Sequence, residues 1–117
     1  MNVNTIRTLN VEADFPTLDE ARRLVAEAIR VAKKERVLVL KVIHGYGSTG
    51  KGGALCVGLR KSFALRKKEG LIKDFVLGED FSIFNPPVLT LIETIPALRS
   101  DPDLNAVNEG VTLLWLR

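Results

Sequence analysis

Val37-Leu38-Val39-Leu40-Lys41-Val42-Ile43-His44-Gly45-Tyr46-Gly47-Ser48-Thr49-Gly50-Lys51-Gly52-Gly53 passes from a β-branched apolar run straight into a glycine-rich one. Residues 37–43 are almost continuously apolar, as expected of a strand buried on both faces. Lys41, their one polar residue, shares a face with Val37, Val39 and Ile43, while Leu38, Leu40 and Val42 face the other way, under helices. Five glycines among residues 44–53 end the strand. A helix follows from about Ala54 to Lys68, burying Leu55, Leu59, Ser62 and Phe63 and stopping before Gly70.

On the N-terminal side, Pro16-Thr17-Leu18-Asp19-Glu20 is a helix start, with Thr17 as cap and Glu20 completing a capping box. Leu18, Ala21, Leu24, Val25, Ala28, Ile29 and Ala32 follow helical spacing to about residue 34. Ahead of it, residues 5–12 alternate weakly, with Leu9 and Val11 opposite Asn10 and Glu12, which predicts a short strand. Strand, helix, strand within this length argues for a right-handed parallel βαβ unit, hence an α/β domain.

Downstream, Leu71 to Leu77 predicts a third strand and Val111 to Leu116 a last one, opened by Gly110, with Trp115 in the core. Residues 78–109 are too long for a bare loop and are expected to hold structure of their own. Asn85-Pro86-Pro87 followed by Val88, Leu91, Ile92 and Ile95 predicts a short amphipathic helix ending before Pro96, and Asp101 to Gly110 a polar loop. The chain is expected to be one domain over 1–117, with 78–109 inserted between the last two strands, where it caps the face bearing Lys41 or forms a protein-partner or self-association surface.

The chain has 117 residues, 46% hydrophobic and 26% charged, an ordinary globular composition. Its net charge of +3 hides an asymmetry. Residues 51–73 carry seven Lys/Arg against Glu69, and residues 74–109 carry seven acids against Arg99. A single cysteine, Cys56, excludes an internal disulfide; no signal-peptide core and no apolar run of about 20 residues are present, so a cytoplasmic protein with no membrane partner is expected. One His and one Cys cannot make a structural zinc site. Cys56 reads as a small buried side chain rather than a nucleophile.

A glycine-rich turn between a parallel strand and a helix is built for anions. Glycines allow positive φ and close backbone approach, and the helix N-terminus adds unpaired N–H donors. Lys51 contributes a charge and Ser48 and Thr49 hydroxyls, so phosphate or carboxylate is the ligand chemistry expected. Gly45 to Lys51 also satisfies most of a P-loop, G-x-x-x-x-G-K, but Gly52 stands where Ser or Thr would hold magnesium. A nucleotide binder with a degenerate P-loop is therefore one alternative.

Ile43-His44-Gly45-Tyr46-Gly47, continuing through Gly50 and Gly53-Ala54-Leu55, resembles the hydrophobic-H-G-x-G…G-x-L signature of the small MutS-related (Smr) domain family. Asn108-Glu109-Gly110-Val111-Thr112 resembles that family's final strand, and the order of elements agrees over most of the chain. The resemblance implies a two-layer βαβαββ sandwich with a mixed four-stranded sheet, similar to the C-terminal domain of bacterial translation initiation factor three. It also implies DNA or RNA binding, with nicking endonuclease activity in some members. One departure bears on chemistry: the family's first strand ends L-D-L-H-G, and here Leu9-Asn10-Val11-Glu12-Ala13 stands instead. Catalysis by that Asp/His pair does not carry over.

The expected phosphate-binding set is Gly45, Tyr46, Gly47, Ser48, Thr49, Gly50, Lys51, Gly52 and Gly53, with Arg60, Lys61, Lys67 and Lys68 of the following helix projecting into water beside the loop. Tyr46 is the exposed aromatic available to stack on an unpaired base. Adjacent parallel strands end at one edge, which brings Glu12 and His44 beside the loop as a hypothetical phosphodiesterase pair. In that reading the carboxylate activates water or helps hold Mg²⁺ or Mn²⁺ and the imidazole relays a proton; binding alone requires no cofactor. The bland alternative is that His44 hydrogen-bonds the turn and Glu12 is solvated. A non-catalytic protein-interaction or ribosome-associated module remains the other alternative, favoured by the acidic 74–109 segment.

Overall fold

The computed structural model describes residues 5–14, 16–46 and 51–117, and for residues 51 and 52 the backbone alone. The order of elements is β1 (Ile6–Asn10), α1 (Leu18–Lys34), β2 (Val39–Ile43), α2 (Lys51–Lys68), β3 (Asp74–Leu77), α3 (Pro86–Thr94) and β4 (Val111–Trp115), with 3₁₀ turns at Glu12–Asp14, Gly78–Asp80 and Pro96–Ser100. The strands form one mixed sheet in the order β1-β2-β4-β3. β1 and β2 run parallel, Ile6 opposite Val39 and Asn10 opposite Ile43. β4 inserts antiparallel between β2 and β3, placing Lys41 opposite Leu113 and Val42 opposite Thr112.

α1 starts at the expected capping box: the Thr17 side chain accepts from the Glu20 backbone N–H at 3.2 Å, and the Glu20 carboxylate accepts from the Thr17 backbone N–H at 3.3 Å. Its buried stripe is Ala21, Val25, Ile29 and Ala32. Leu24, expected in that stripe, is 48% exposed, because position 24 lies at the edge of the arc that meets the sheet.

The helix face of the sheet is filled by Leu40, Val42, Leu114 and Leu116 packing on Val25, Ile29, Leu55, Leu59 and Phe63. Leu38 does not share this face as alternation predicted. The chain bends at Leu38 before β2 begins, so Val37 joins the helix-side core and Leu38 packs against the opposite one. That opposite core gathers Val39, Val76, Val111 and Leu113 under Phe81, Val88, Leu91, Ile92, Ile95 and Leu98. Residues 78–109 thus cover the second face of the sheet, the face bearing Lys41, and add a helix the two-layer description lacks. Trp115 is half-buried rather than enclosed, with the Lys73 ammonium 4.0 Å from its ring centroid.

Lys41 is the charge this cover must accommodate. Its side chain is 8% exposed and its Nζ donates to Asp101 Oδ1 at 2.9 Å and contacts Asp103 Oδ2. Burial works to lower its pKa, but the hydrogen bonds and charges of Asp103 and Asp101 prevail and raise it above 10.5. The region expected to be a plain polar loop therefore carries the counter-charges of a core lysine.

Candidate functional site

The carboxyl ends of β1 and β2 and the start of β4 are knotted together by backbone. Val11 N–H donates to Ile43 O at 2.9 Å, and the N–H groups of His44 and Gly45 both donate to Gly110 O, at 2.9 and 3.1 Å. In open α/β sheets the carboxyl edge of the strands, outside the packed core, is where ligands bind. Gly45 opens the loop there with φ +76°, and a Cβ on it would lie 2.9 Å from Glu12 Oε2. The positive φ favours glycine here, while the Glu12 carboxylate, the end of a flexible exposed side chain, could move aside for a Cβ. Glu12, exposed in the 3₁₀ turn that follows β1, therefore does reach the loop.

His44 does not face outward with it. The ring is 0% exposed. Its Nδ1 lies 2.6 Å from Gly45 O and its Nε2 2.9 Å from Thr112 Oγ1. A carbonyl can only accept, so Nδ1 carries the proton and Nε2 accepts from the Thr112 hydroxyl. Arg60 Nε donates to that same hydroxyl oxygen at 3.2 Å, closing a run from Arg60 through Thr112 and His44 to Gly45. Burial pushes the His44 pKa below 6.5, with the Arg60 charge adding to the effect and the Gly45 carbonyl and Glu79 opposing it. The proton-relay role is corrected and the alternative, a histidine that hydrogen-bonds the turn, is what the geometry shows: the ring is enclosed and has both nitrogens engaged.

Arg60 is likewise not the solvent-facing phosphate contact that helical spacing implied. Its guanidinium pairs bidentately with Glu79, at 2.8 and 2.7 Å, and Nη2 also reaches Glu109 O and Val111 O, at 3.1 and 3.2 Å. Burial works against the Glu79 charge, but the Arg60 hydrogen bonds win and hold its carboxyl below 4.5. The Arg60–Glu79 pair joins α2 to the turn after β3 and to the start of β4.

Of the other basic residues, Lys61 and Lys68 are exposed, and Lys67, also exposed, pairs with Asp74 at 2.9 Å. They do not flank the loop. At about 1.5 Å of rise per residue, Lys61 lies about 15 Å and Lys67 about 24 Å along α2 from its first turn. Lys67 and Lys68 occupy the last turn of α2, where cations complement the helix dipole. Gly47, Ser48, Thr49 and Gly50 lie outside the described residues; Lys51, Gly52 and Gly53 form the first turn of α2. Cys56 is buried, with burial raising its thiol pKa above 9.0, as expected of a packing residue.

Tyr46 is 59% exposed. With Asp103, Ala106, Val107, Asn108 and Glu109 it lines an open groove of about 390 Å³ beside the loop. The far wall was not legible in the sequence beyond its resemblance to a closing strand. Val107 stands at φ +53°, a costly conformation for a β-branched residue, and is 65% exposed. Among the described residues no three His, Cys, Asp or Glu side chains converge as a metal-ligand set. No helix among the described residues is long and apolar enough to cross a membrane.

No family model matches the sequence, and no curated protein does. Among solved structures the chain is similar to the Smr domain of MutS2 from Thermus thermophilus, with a TM-score of 0.59 and 19% identity over 95% of this chain and 98% of that one. At that identity the likeness establishes the fold. The mixed four-stranded α/β architecture expected from the loop signature is the one observed, and the match extends well past the βαβ unit.

Proposed function

We propose that this domain binds nucleic acid, engaging backbone phosphate through the glycine-rich loop 44–53 at the first turn of α2. The observation that carries the reading is the junction itself. A parallel strand ends in a positive-φ glycine at the open edge of the sheet and leads into the N-terminus of a long helix with Lys51 at its head. Such a junction presents N–H donors and positive potential to an anion. The Smr-domain fold supports the choice of nucleic acid among anions. Lys61 and Lys68 are too distant to share the loop's phosphate, so their contribution is to a neighbouring stretch of backbone.

The geometry favours binding over cleavage. Glu12 is at the loop, but His44 has no free nitrogen to offer a substrate, so the hypothetical Glu12/His44 pair lacks its proton carrier. The test is binding of labelled single- and double-stranded DNA and RNA across a salt series, with Lys51→Ala beside wild type. Affinity should fall linearly on a log–log salt plot, and Lys51→Ala should flatten the slope by about one unit. Absence of binding even at low salt contradicts the reading. Cleavage with Mg²⁺ or Mn²⁺ that depends on Glu12 would restore the nuclease alternative.

A further inference from the structure

The groove beside Tyr46 has the wrong charge for the phosphate that the loop attracts. Asp103 and Glu109 line it; Lys41 compensates the Asp103 charge, so the Glu109 carboxylate is the negative charge an entering anion would meet. What suits those walls is a flat apolar body with N–H donors on its rim. Tyr46 supplies an exposed ring, and Ala106 and Val107 supply apolar surface.

The walls are held from beneath. Lys41 ties down Asp103, whose Oδ1 accepts from Asn108 Nδ2 at 2.8 Å, and Asn108 Oδ1 accepts from Gly110 N–H at 2.9 Å. Gly110 in turn seats the ring, since a Cβ there would lie 3.3 Å from Tyr46 Cδ1. Asp103 and Asn108 are thus occupied in building the groove. Among the described residues the Glu109 carboxylate has no hydrogen-bond or salt-bridge partner, which leaves it as the acceptor facing a ligand.

We infer that this groove takes a single unpaired nucleobase bearing an exocyclic amino group, stacked on Tyr46 and donating that amine to Glu109. The inference rests on the nucleic-acid reading and adds to it a substrate class: single strands or unpaired nucleotides, with the amine-bearing bases cytosine, adenine and guanine preferred over thymine or uracil. A base in a duplex has its amine paired and its faces stacked, so it cannot enter. Stacking on one aromatic ring is sequence-tolerant; the preference arises from the carboxylate.

The test uses the whole chain with oligonucleotides of about ten residues: oligo-dC, oligo-dA, oligo-dT, oligo-rC, oligo-rU, a duplex, and a single strand carrying 2-aminopurine. Tyr46→Ala should weaken single-strand binding by about tenfold or more and duplex binding by much less, while Tyr46→Phe keeps most of the affinity. Wild type should quench 2-aminopurine fluorescence and Tyr46→Ala should not. Glu109→Gln should erase the preference for oligo-dC and oligo-dA over oligo-dT, and for oligo-rC over oligo-rU. Thermal unfolding of each variant identifies any that fail to fold. Single-strand affinity untouched by Tyr46→Ala, or lost equally on duplex, overturns the base pocket while leaving phosphate binding by the loop intact. Equal wild-type affinity for oligo-dC and oligo-dT overturns the role of Glu109. No binding of any oligonucleotide by wild type overturns both the pocket and the nucleic-acid reading.

Discussion

At the scale of single residues, His44 and Glu12 show how one strand edge can divide two side chains that sequence reasoning pairs. Glu12 crosses over Gly45 at the surface, whereas His44 points back between β2, β4 and α2. The direction of His44 follows from alternation: Val42 faces the helices, Ile43 the opposite side, and residue 44 the helices again. That parity was available in the sequence; what was hidden was Thr112 waiting opposite, a long-range contact. A titration prediction belongs here. The unfolded imidazole titrates near 6.5 and the folded one lower, so below about 6.5 the unfolded chain binds a proton that the folded chain refuses. Stability should therefore fall as pH drops from about 7 toward the folded value. Glu79, held below 4.5 by Arg60, contributes stability that is fully present above about 4.5 and is lost progressively as pH falls from there through its lowered value. His44 is the chain's only histidine, so its NMR titration gives one resolvable imidazole. Its midpoint should lie below 6.5 with the proton on Nδ1; a midpoint at or above 6.5 contradicts the enclosed neutral ring.

At the scale of elements, helix starts and strand cores were legible and helix faces less so. The Thr17/Glu20 box and the α1 stripe are local patterns, and both appear in the structure. The end of α1 at about residue 34 was legible too, but the form of its terminus was not. Arg36 takes φ +62° while its N–H donates to Lys33 O at 3.2 Å and Val37 N–H donates to Ala32 O at 2.8 Å, a C-terminal turn that ordinarily uses glycine. Arg36→Gly should raise stability by about 0.5–1 kcal/mol, the left-handed penalty offset partly by added freedom of the unfolded chain. Denaturant unfolding checks this, and a loss of stability would show that the arginine side chain contributes more than its backbone costs. In α2 the burial of Leu55, Leu59 and Phe63 was readable, but the destination of Arg60 was not. Helical spacing sets only which way a residue points, and it cannot reveal that β4 and the turn after β3 lie alongside. Nor did a one-dimensional charge count show that Lys67 and Lys68 lie at the far end of the helix from the loop.

At the scale of the whole molecule, the acidic segment is a cover before it is anything else. Its apolar residues fill the second face of the sheet, and two of its carboxylates neutralise Lys41. The sequence marked both halves of this arrangement, a lysine in a core strand and an acid-rich insertion, without the contact that joins them. Lys41→Met should destabilise the fold by about 3 kcal/mol, because two nearly buried carboxylates then lack a cation. Adding Asp101→Asn and Asp103→Asn should recover most of that loss in thermal or denaturant unfolding. Failure of the triple variant to recover would mean that the lysine stabilises through packing rather than charge. Asp103 also braces Asn108, and through it Gly110, so the same lysine helps to set the groove wall. Cover, clamp and groove thus converge on the strand edge where the loop begins. The central claim is that nucleic acid binds at that edge, and backbone amide shift mapping with a short single-stranded oligonucleotide tests it most directly. Perturbations concentrated at residues 44–53 and 106–110 are the result predicted. Perturbations centred on α3 and residues 81–95, with the loop unmoved, would contradict it.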